Sequence, residues 1–155
     1  MSPPELRVEL VEASTLDELR LRILRGNDPT KRDADARDDE ATTLHVGGLL
    51  DDRLVVSASF YLARAPVHEG LVSYQLRFMA TDFDVQGRGY GASVLTFAFE
   101  ELRKRGAFQV WAHARDSALG FYVATGWSAI EGSEHLSAET NLPHTTIVKS
   151  LVETL

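Results

Sequence analysis

Three glycines, at 87, 89 and 91, interrupt the chain between a strand-like run and an amphipathic helix, in the segment Thr81 to Ala92 (TDFDVQGRGYGA). Glycine enters the left-handed backbone region at no steric cost, so this spacing lets consecutive N–H groups turn into one concavity at the mouth of the helix. The helix N-terminus behind it adds the positive end of a dipole, and the combination suits an anion such as phosphate. The donors are main-chain groups, so a net charge of −7 does not oppose local phosphate binding, and Arg88 adds a formal charge at the rim.

The flanking residues fix what the glycines connect. Upstream, Leu71 to Thr81 alternates Val72, Tyr74, Leu76, Phe78 and Ala80 with Ser73, Gln75, Arg77, Met79 and Thr81, the period of a central strand with one polar or ligand-facing side. Downstream, Gly91 to Arg105 sets Ala92, Leu95, Ala98, Phe99 and Leu102 on one stripe, with Glu100–Lys104 and Glu101–Arg105 pairs on its surface and Gly106 ending it.

Before this region, Leu6 to Val11 reads as a strand. A helix then opens at Ser14 and Thr15, where Thr15 and Glu18 form a capping-box pattern, and stops at Gly26. Thr42 to Leu50 and Arg53 to Leu62 read as antiparallel strands joined by a tight turn at Asp51–Asp52. After it come a strand from Phe108 to His113, a short helix capped by Asp116 and ended by Gly126, and strands from Trp127 to Ile130 and Thr145 to Val152. The order is mixed α/β, with a parallel pairing only where the long helix crosses between strands.

At 155 residues, 44% hydrophobic and 25% charged, the chain has the make-up of one soluble domain over 1–155. The charge-free runs, among them Leu54 to Ala63, Gly89 to Phe99 and the longer Ser117 to Ile130, fall short of the roughly 18 apolar residues of a membrane span. Met1 to Leu10 lacks the basic lead and apolar core of a secretory signal, so a cytoplasmic address is expected, with no membrane partner. With no cysteine there are no disulfides, no thiolate nucleophile and no usual zinc site. The acidic balance opposes non-specific nucleic-acid binding.

Other phosphate sites fit the glycines less well. A Walker loop requires Gly-Lys followed by Ser or Thr, which is absent. Gly87, Gly89 and Ala92 match the dinucleotide form G-x-G-x-x-A, but Asp82 to Gln86 separates them from the strand, and no acid stands at the end of the next strand for a ribose. A turn that merely connects remains the plain structural alternative.

Gln86-Gly87-Arg88-Gly89-Tyr90-Gly91 resembles the [RQ]-x-x-G-x-[GA] acyl-CoA signature of the GNAT superfamily of N-acetyltransferases. Ala118, Phe121, Tyr122, Gly126 and Trp127 resemble that family's A-x-x-F-Y-x-x-x-G-F pattern at a matching distance, and the likeness covers about Leu44 to Leu151. Arg115 departs from it, standing where many members carry Asn three residues before the helix alanine, and an Arg there could reach a phosphate instead.

The resemblance implies a mixed, mostly antiparallel sheet of six to seven strands, splayed between strands 4 and 5 and flanked by helices. It implies acetyl-CoA as cosubstrate and no metal. The pyrophosphate falls on the backbone of Gln86, Gly87, Arg88, Gly89, Tyr90 and Gly91, and the pantetheine on the strand edge at Met79, Ala80 and Thr81. It also implies Tyr122 as the acid that protonates the departing thiolate; the alternative for Tyr122 is a buried helix tyrosine packed under the sheet.

His113, Glu131, His144, Glu69 and a chain of waters all stand as candidates for the base, and five scattered histidines do not suggest a metal site. The expected reaction is direct attack of a primary amine, on a small molecule or a peptide, in a ternary complex. The alternative from another class is a non-catalytic acyl-CoA-binding or sensing module. Acidic residues from Asn27 to Glu40, notably Asp38, Asp39 and Glu40, form either a solvated mobile connection or an acidic rim for a cationic acceptor, a role also open to acids between Glu131 and Glu139. A homodimer is the expected assembly.

Overall fold

A computed structural model describes residues 5–28, 30 and 33–152. The chain divides into two compact units: Met1–Tyr61 with Phe78–Glu101, and Leu62–Arg77 with Leu102–Leu155. The strand order is β1-β2-β3-β4-β5-β8-β6, with β7 also on β8. That makes eight strands among the described residues: β6 (Ser128–Ala129) is the short strand expected from Trp127 to Ile130, and the one beyond the expected six to seven is β7 (His135–Leu136), a two-residue piece that carries little periodic signal.

In the first unit, β1 (Leu6–Leu10) pairs antiparallel with β2 (Leu44–Leu50), and β2 pairs antiparallel with β3 (Arg53–Leu62). The hairpin turn at Asp51–Asp52 forms as its residues suggested, with Asp51 at φ +52°. Gly47 and Gly48 allow close packing on this sheet. A Cβ on Gly47 would lie 2.8 Å from Leu54 Cδ1, and one on Gly48 would lie 3.0 Å from Val94 Cγ2 of α2 (Tyr90–Lys104). Leu95, Ala98, Phe99 and Leu102 are buried along the helix stripe that the spacing anticipated, and Val94, outside that stripe, is buried as well.

The first helix differs from its expected start. α1 (Ala13–Leu19) has Glu12 at its N-cap with no side-chain cap bond, so Thr15 and Glu18 do not form a capping box. Instead the Thr15 N–H donates to the Glu12 carbonyl at 3.0 Å, one turn too early for the box. The helix then widens into a π-turn over Arg20–Leu24 before Gly26, at φ +62°, ends it.

In the second unit, the start of β4 (Ser73–Thr81) pairs parallel with β5 (Gln109–Arg115), from Ser73↔Gln109 to Gln75↔Trp111. The ladder ends there, and the rest of β5 pairs with β8 (Pro143–Ser150) alone, out to Arg115↔His144. This is the splay between strands 4 and 5. After β5 a 3₁₀ turn, Asp116–Ala118, leads into α3 (Leu119–Ala124). Asp116 makes no cap there, because its carboxylate accepts the Thr145 hydroxyl at 2.8 Å.

Candidate functional site

The glycine loop adopts the conformation that its composition allows. Gly87 and Gly89 both have φ +80°, one on either side of Arg88, and a Cβ on either would meet nothing within 4 Å. Positive φ at Gly87 and Gly89 on either side of Arg88, running into the first turn of the 15-residue α2, is a backbone pattern that can present amides to an anion. The Gln86 side chain folds back to donate to the Thr81 carbonyl at 3.0 Å, which ties the loop to the end of β4. Arg88 is exposed at the rim, Met79 and Thr81 are half-buried, and Ala80 is buried.

Asp82, which the sequence did not mark, anchors this loop. Its N–H donates to the Val55 carbonyl at 2.8 Å, and its carboxylate accepts from Arg22 at 2.8 and 3.0 Å and from Arg53 at 3.0 Å. Hydrogen bonds from Arg22 first, with Arg53 adding, hold the carboxyl below the usual carboxylate range against the upward pull of burial. The partners lie 60 and 29 residues away, so no local pattern could have found them.

The segment before β2 is more than a solvated connection. Arg20 is fully buried and donates to Asp38 at 2.9 and 3.3 Å, to Ser59 Oγ at 2.7 Å and to the Asp33 carbonyl at 3.2 Å. The Tyr61 hydroxyl also donates to Asp38. Burial works to raise the Asp38 pKa, but the Arg20 and Tyr61 hydrogen bonds outweigh it and the pKa is lowered. Asp38 is therefore the counter-ion of a buried arginine and also lines, with the exposed Asp39 and Glu40 and with Glu12, Ser14, Thr43 and His45, an open cleft of about 330 Å³. In the other unit Glu139 is held by Arg77 through two 2.9 Å bonds, while Glu131 is exposed in a turn and Glu69 is likewise exposed.

Tyr122 lies in α3, buried, with its ring edge-on to Trp127 at 5.4 Å and to Phe121 at 5.2 Å. Burial raises its pKa above that of a free phenol. The hydroxyl thus keeps its proton at neutral pH. Gly126 follows at φ +97°, in a turn where a Cβ would lie 2.7 Å from Lys149 Nζ. The histidines are less scattered than their spacing suggested: His113, His135 and His144 come together from β5, β7 and β8. Among the described residues no three His, Cys, Asp or Glu side chains are placed to hold a metal ion, and no helix is long and apolar enough to cross a membrane.

Residues 13–127 match the Acetyltransferase (GNAT) family. The uncharacterized N-acetyltransferase YitI of Bacillus subtilis (strain 168) is 28% identical over 125 residues, which is 81% of this chain and 84% of YitI. Two solved structures share the fold at low identity. FeeM, an N-acyl amino acid synthase from uncultured soil microbes, is 14% identical with a TM-score of 0.75, covering 96% of this chain and 92% of FeeM. An aminoglycoside 6'-N-acetyltransferase complexed with coenzyme A is 12% identical with a TM-score of 0.70, covering 96% and 99%. With the glycine nest at the head of α2, the splayed strands and a family match across most of its length, this chain belongs to the GNAT acetyltransferase family.

Proposed function

We propose that the protein transfers an acetyl group from acetyl-CoA to a primary amine by direct attack in a ternary complex, working as one acyl-CoA-binding domain over 1–155. The observation that carries the proposal is the loop from Gln86 to Gly91 at the head of α2, shaped by positive φ at Gly87 and Gly89. Those main-chain groups would hold the pyrophosphate, with Arg88 at the rim, and Met79, Ala80 and Thr81 would line the pantetheine arm. A fold neighbour complexed with coenzyme A supports this choice of cosubstrate.

Amide formation from a thioester needs a neutral amine and an acid for the departing thiolate. Tyr122 is the proposed acid, a role that its buried and therefore proton-retaining phenol supports. Ser117 lies in the 3₁₀ turn between β5 and α3 but lacks the G-x-S-x-G sequence of a nucleophile elbow, which favours direct attack over a covalent intermediate. A cytoplasmic address and a homodimer are carried as parts of the proposal, and light scattering tests the second.

Calorimetric titration with acetyl-CoA and with NAD tests the binding half, and binding of NAD alone would overturn it. Thiol release over a panel of primary amines tests the chemistry. Tyr122→Phe should leave acetyl-CoA affinity nearly intact and lower turnover at least tenfold, about 1.4 kcal/mol in the barrier; unchanged turnover removes Tyr122 from the mechanism. Acetyl-CoA binding without thiol release on any amine would favour a non-catalytic acyl-CoA-binding module.

A further inference from the structure

We propose that His113, His135 and His144 form a proton relay that accepts a proton from the ammonium of the acceptor and passes it to solvent, an assignment that rests on the transfer reaction proposed above. The ring centroids of His113 and His135 lie 5.0 Å apart, and those of His135 and His144 lie 6.0 Å apart. Strand register brings them together: His135 pairs with His144 between β7 and β8, and His113 pairs with Thr146 between β5 and β8. His144 is buried, whereas His113 and His135 reach solvent.

Hydrogen bonds fix where the protons can sit. His135 Nδ1 lies 2.8 Å from the Ser133 carbonyl and His144 Nδ1 lies 2.9 Å from the Leu142 carbonyl. A carbonyl only accepts, so both Nδ1 atoms carry hydrogen and the lone pair of each neutral ring is on Nε2. His113 is different. Its Nδ1 faces the Thr146 hydroxyl at 2.8 Å, and a hydroxyl can donate or accept. His113 can therefore hold its proton on either nitrogen, as the first member of a relay must when it gains a proton at one nitrogen and sheds one from the other.

The charged surroundings favour one proton at a time. His135 faces His113 from β7, His144 from β8, and Arg77 from β4, the last paired with Glu139; Trp111 of β5 is edge-on to it at 5.3 Å. Desolvation, then His135, His144 and Arg77, lower the His113 pKa, so the ring is neutral at pH 7 and able to accept. A second proton in the cluster would meet the charge of the first.

An alkylammonium with a pKa of about 10 must lose a proton before its nitrogen can attack. In the proposed step His113 takes that proton and His135 delivers it to solvent. The nitrogen lone pair forms the C–N bond to the thioester carbonyl carbon and the C–S bond breaks. The thiolate leaves with the Tyr122 phenolic proton, and the second proton lost by nitrogen restores the phenol. The products are an amide, a free thiol and one solvated proton.

Imidazole-resolved NMR titration of the unliganded protein from pH 5 to 9 tests the cluster independently of activity. The expected result is a coupled titration in which His135→Gln raises the His113 midpoint by half a unit or more. Independent titration of all three rings overturns the relay. With acetyl-CoA and a primary-amine panel, His113→Gln should lower kcat at least tenfold and remove the acid limb of the pH–rate profile, with acetyl-CoA affinity by calorimetry unchanged. His135→Gln, on an exposed two-residue strand, should slow turnover at least threefold and covers the case in which His113→Gln fails to fold. An unchanged rate and acid limb in both variants overturn the relay and leave the transfer reaction standing. A wild-type protein that binds acetyl-CoA but acylates no amine overturns the transfer reaction, and the relay with it.

Discussion

Gly89→Ala puts a Cβ on a residue at φ +80°, where an L-residue carries a strain of about 1–2 kcal/mol. The added carbon meets nothing within 4 Å, so the perturbation is purely conformational. The chain can respond in two ways: keep the loop and lose that stability, or relax the residue to negative φ and turn its amides away from the concavity. In the second case acetyl-CoA, which binds only the nest conformation in the proposed scheme, must restore the strained geometry and becomes weaker by up to that strain, roughly 5- to 30-fold in Kd.

Gly106→Ala is the matched control. It sits at φ +82°, beyond the end of α2, and its Cβ also meets nothing within 4 Å. Gly106→Ala should leave acetyl-CoA affinity unchanged whatever stability it loses in urea, whereas Gly89→Ala, with its loop relaxed out of the nest, should weaken acetyl-CoA in calorimetry. Wild-type affinity in Gly89→Ala, or an equal loss in Gly106→Ala, refutes the claim that backbone shape at 86–91 determines cofactor binding.

Asp82→Asn should cost about 1–2 kcal/mol in urea unfolding at pH 7, a modest value because Arg22 and Arg53 are partly exposed. Because the folded-state pKa of Asp82 is depressed, its stabilisation is complete above the unfolded value of about 3.9 and is lost as pH falls toward the lower folded value. The stability gap between wild type and Asp82→Asn should therefore narrow as pH is lowered from 5 toward 2, and a gap that widens would contradict the assignment. Arg20→Ala strands Asp38 beside a buried void and should cost about 3–5 kcal/mol, whereas Arg20→Met combined with Asp38→Leu should cost clearly less than the sum of the single changes, by denaturant midpoints.

What was legible in the sequence is what short-range physics decides. β3 begins at Arg53 and ends at Leu62 where alternation placed it, and α2 keeps its stripe and its stop. The nest was legible because glycine at 87 and 89 has a backbone meaning independent of context. The two caps failed because α1 begins at Ala13, ahead of Thr15, leaving Glu18 to pair with Arg22 one turn on, and because Asp116 prefers a hydroxyl on β8. Asp38 looked like one more surface acid in a charged run, since its counter-ion stands 18 residues earlier in a helix. The three histidines looked unrelated because only strand register brings them together.

Phe78 shows how such non-local contacts bear on the site. It lies within β4 at φ +57°, a left-handed backbone that costs a bulky residue about 1–3 kcal/mol and persists only where its surroundings over-determine it. Those surroundings are specific. The Arg20 guanidinium stacks 4.1 Å from the ring centroid, and Ser57 Oγ donates to the Phe78 carbonyl at 3.0 Å. Arg20 is itself held by Asp38 and Ser59, so the charge placed over the ring is fixed rather than mobile. The strained residue immediately precedes Met79, Ala80 and Thr81, the edge to which the pantetheine arm is assigned, and a change of backbone hand there re-aims the peptide groups that follow. A β4 built on alternation alone would continue its pleat through residue 78 and would need neither the buried arginine nor its carboxylate. The Arg20 network is thus best understood as the support that keeps this bend in place, which explains why a segment that looks like a solvated acidic loop sends Asp38 inward.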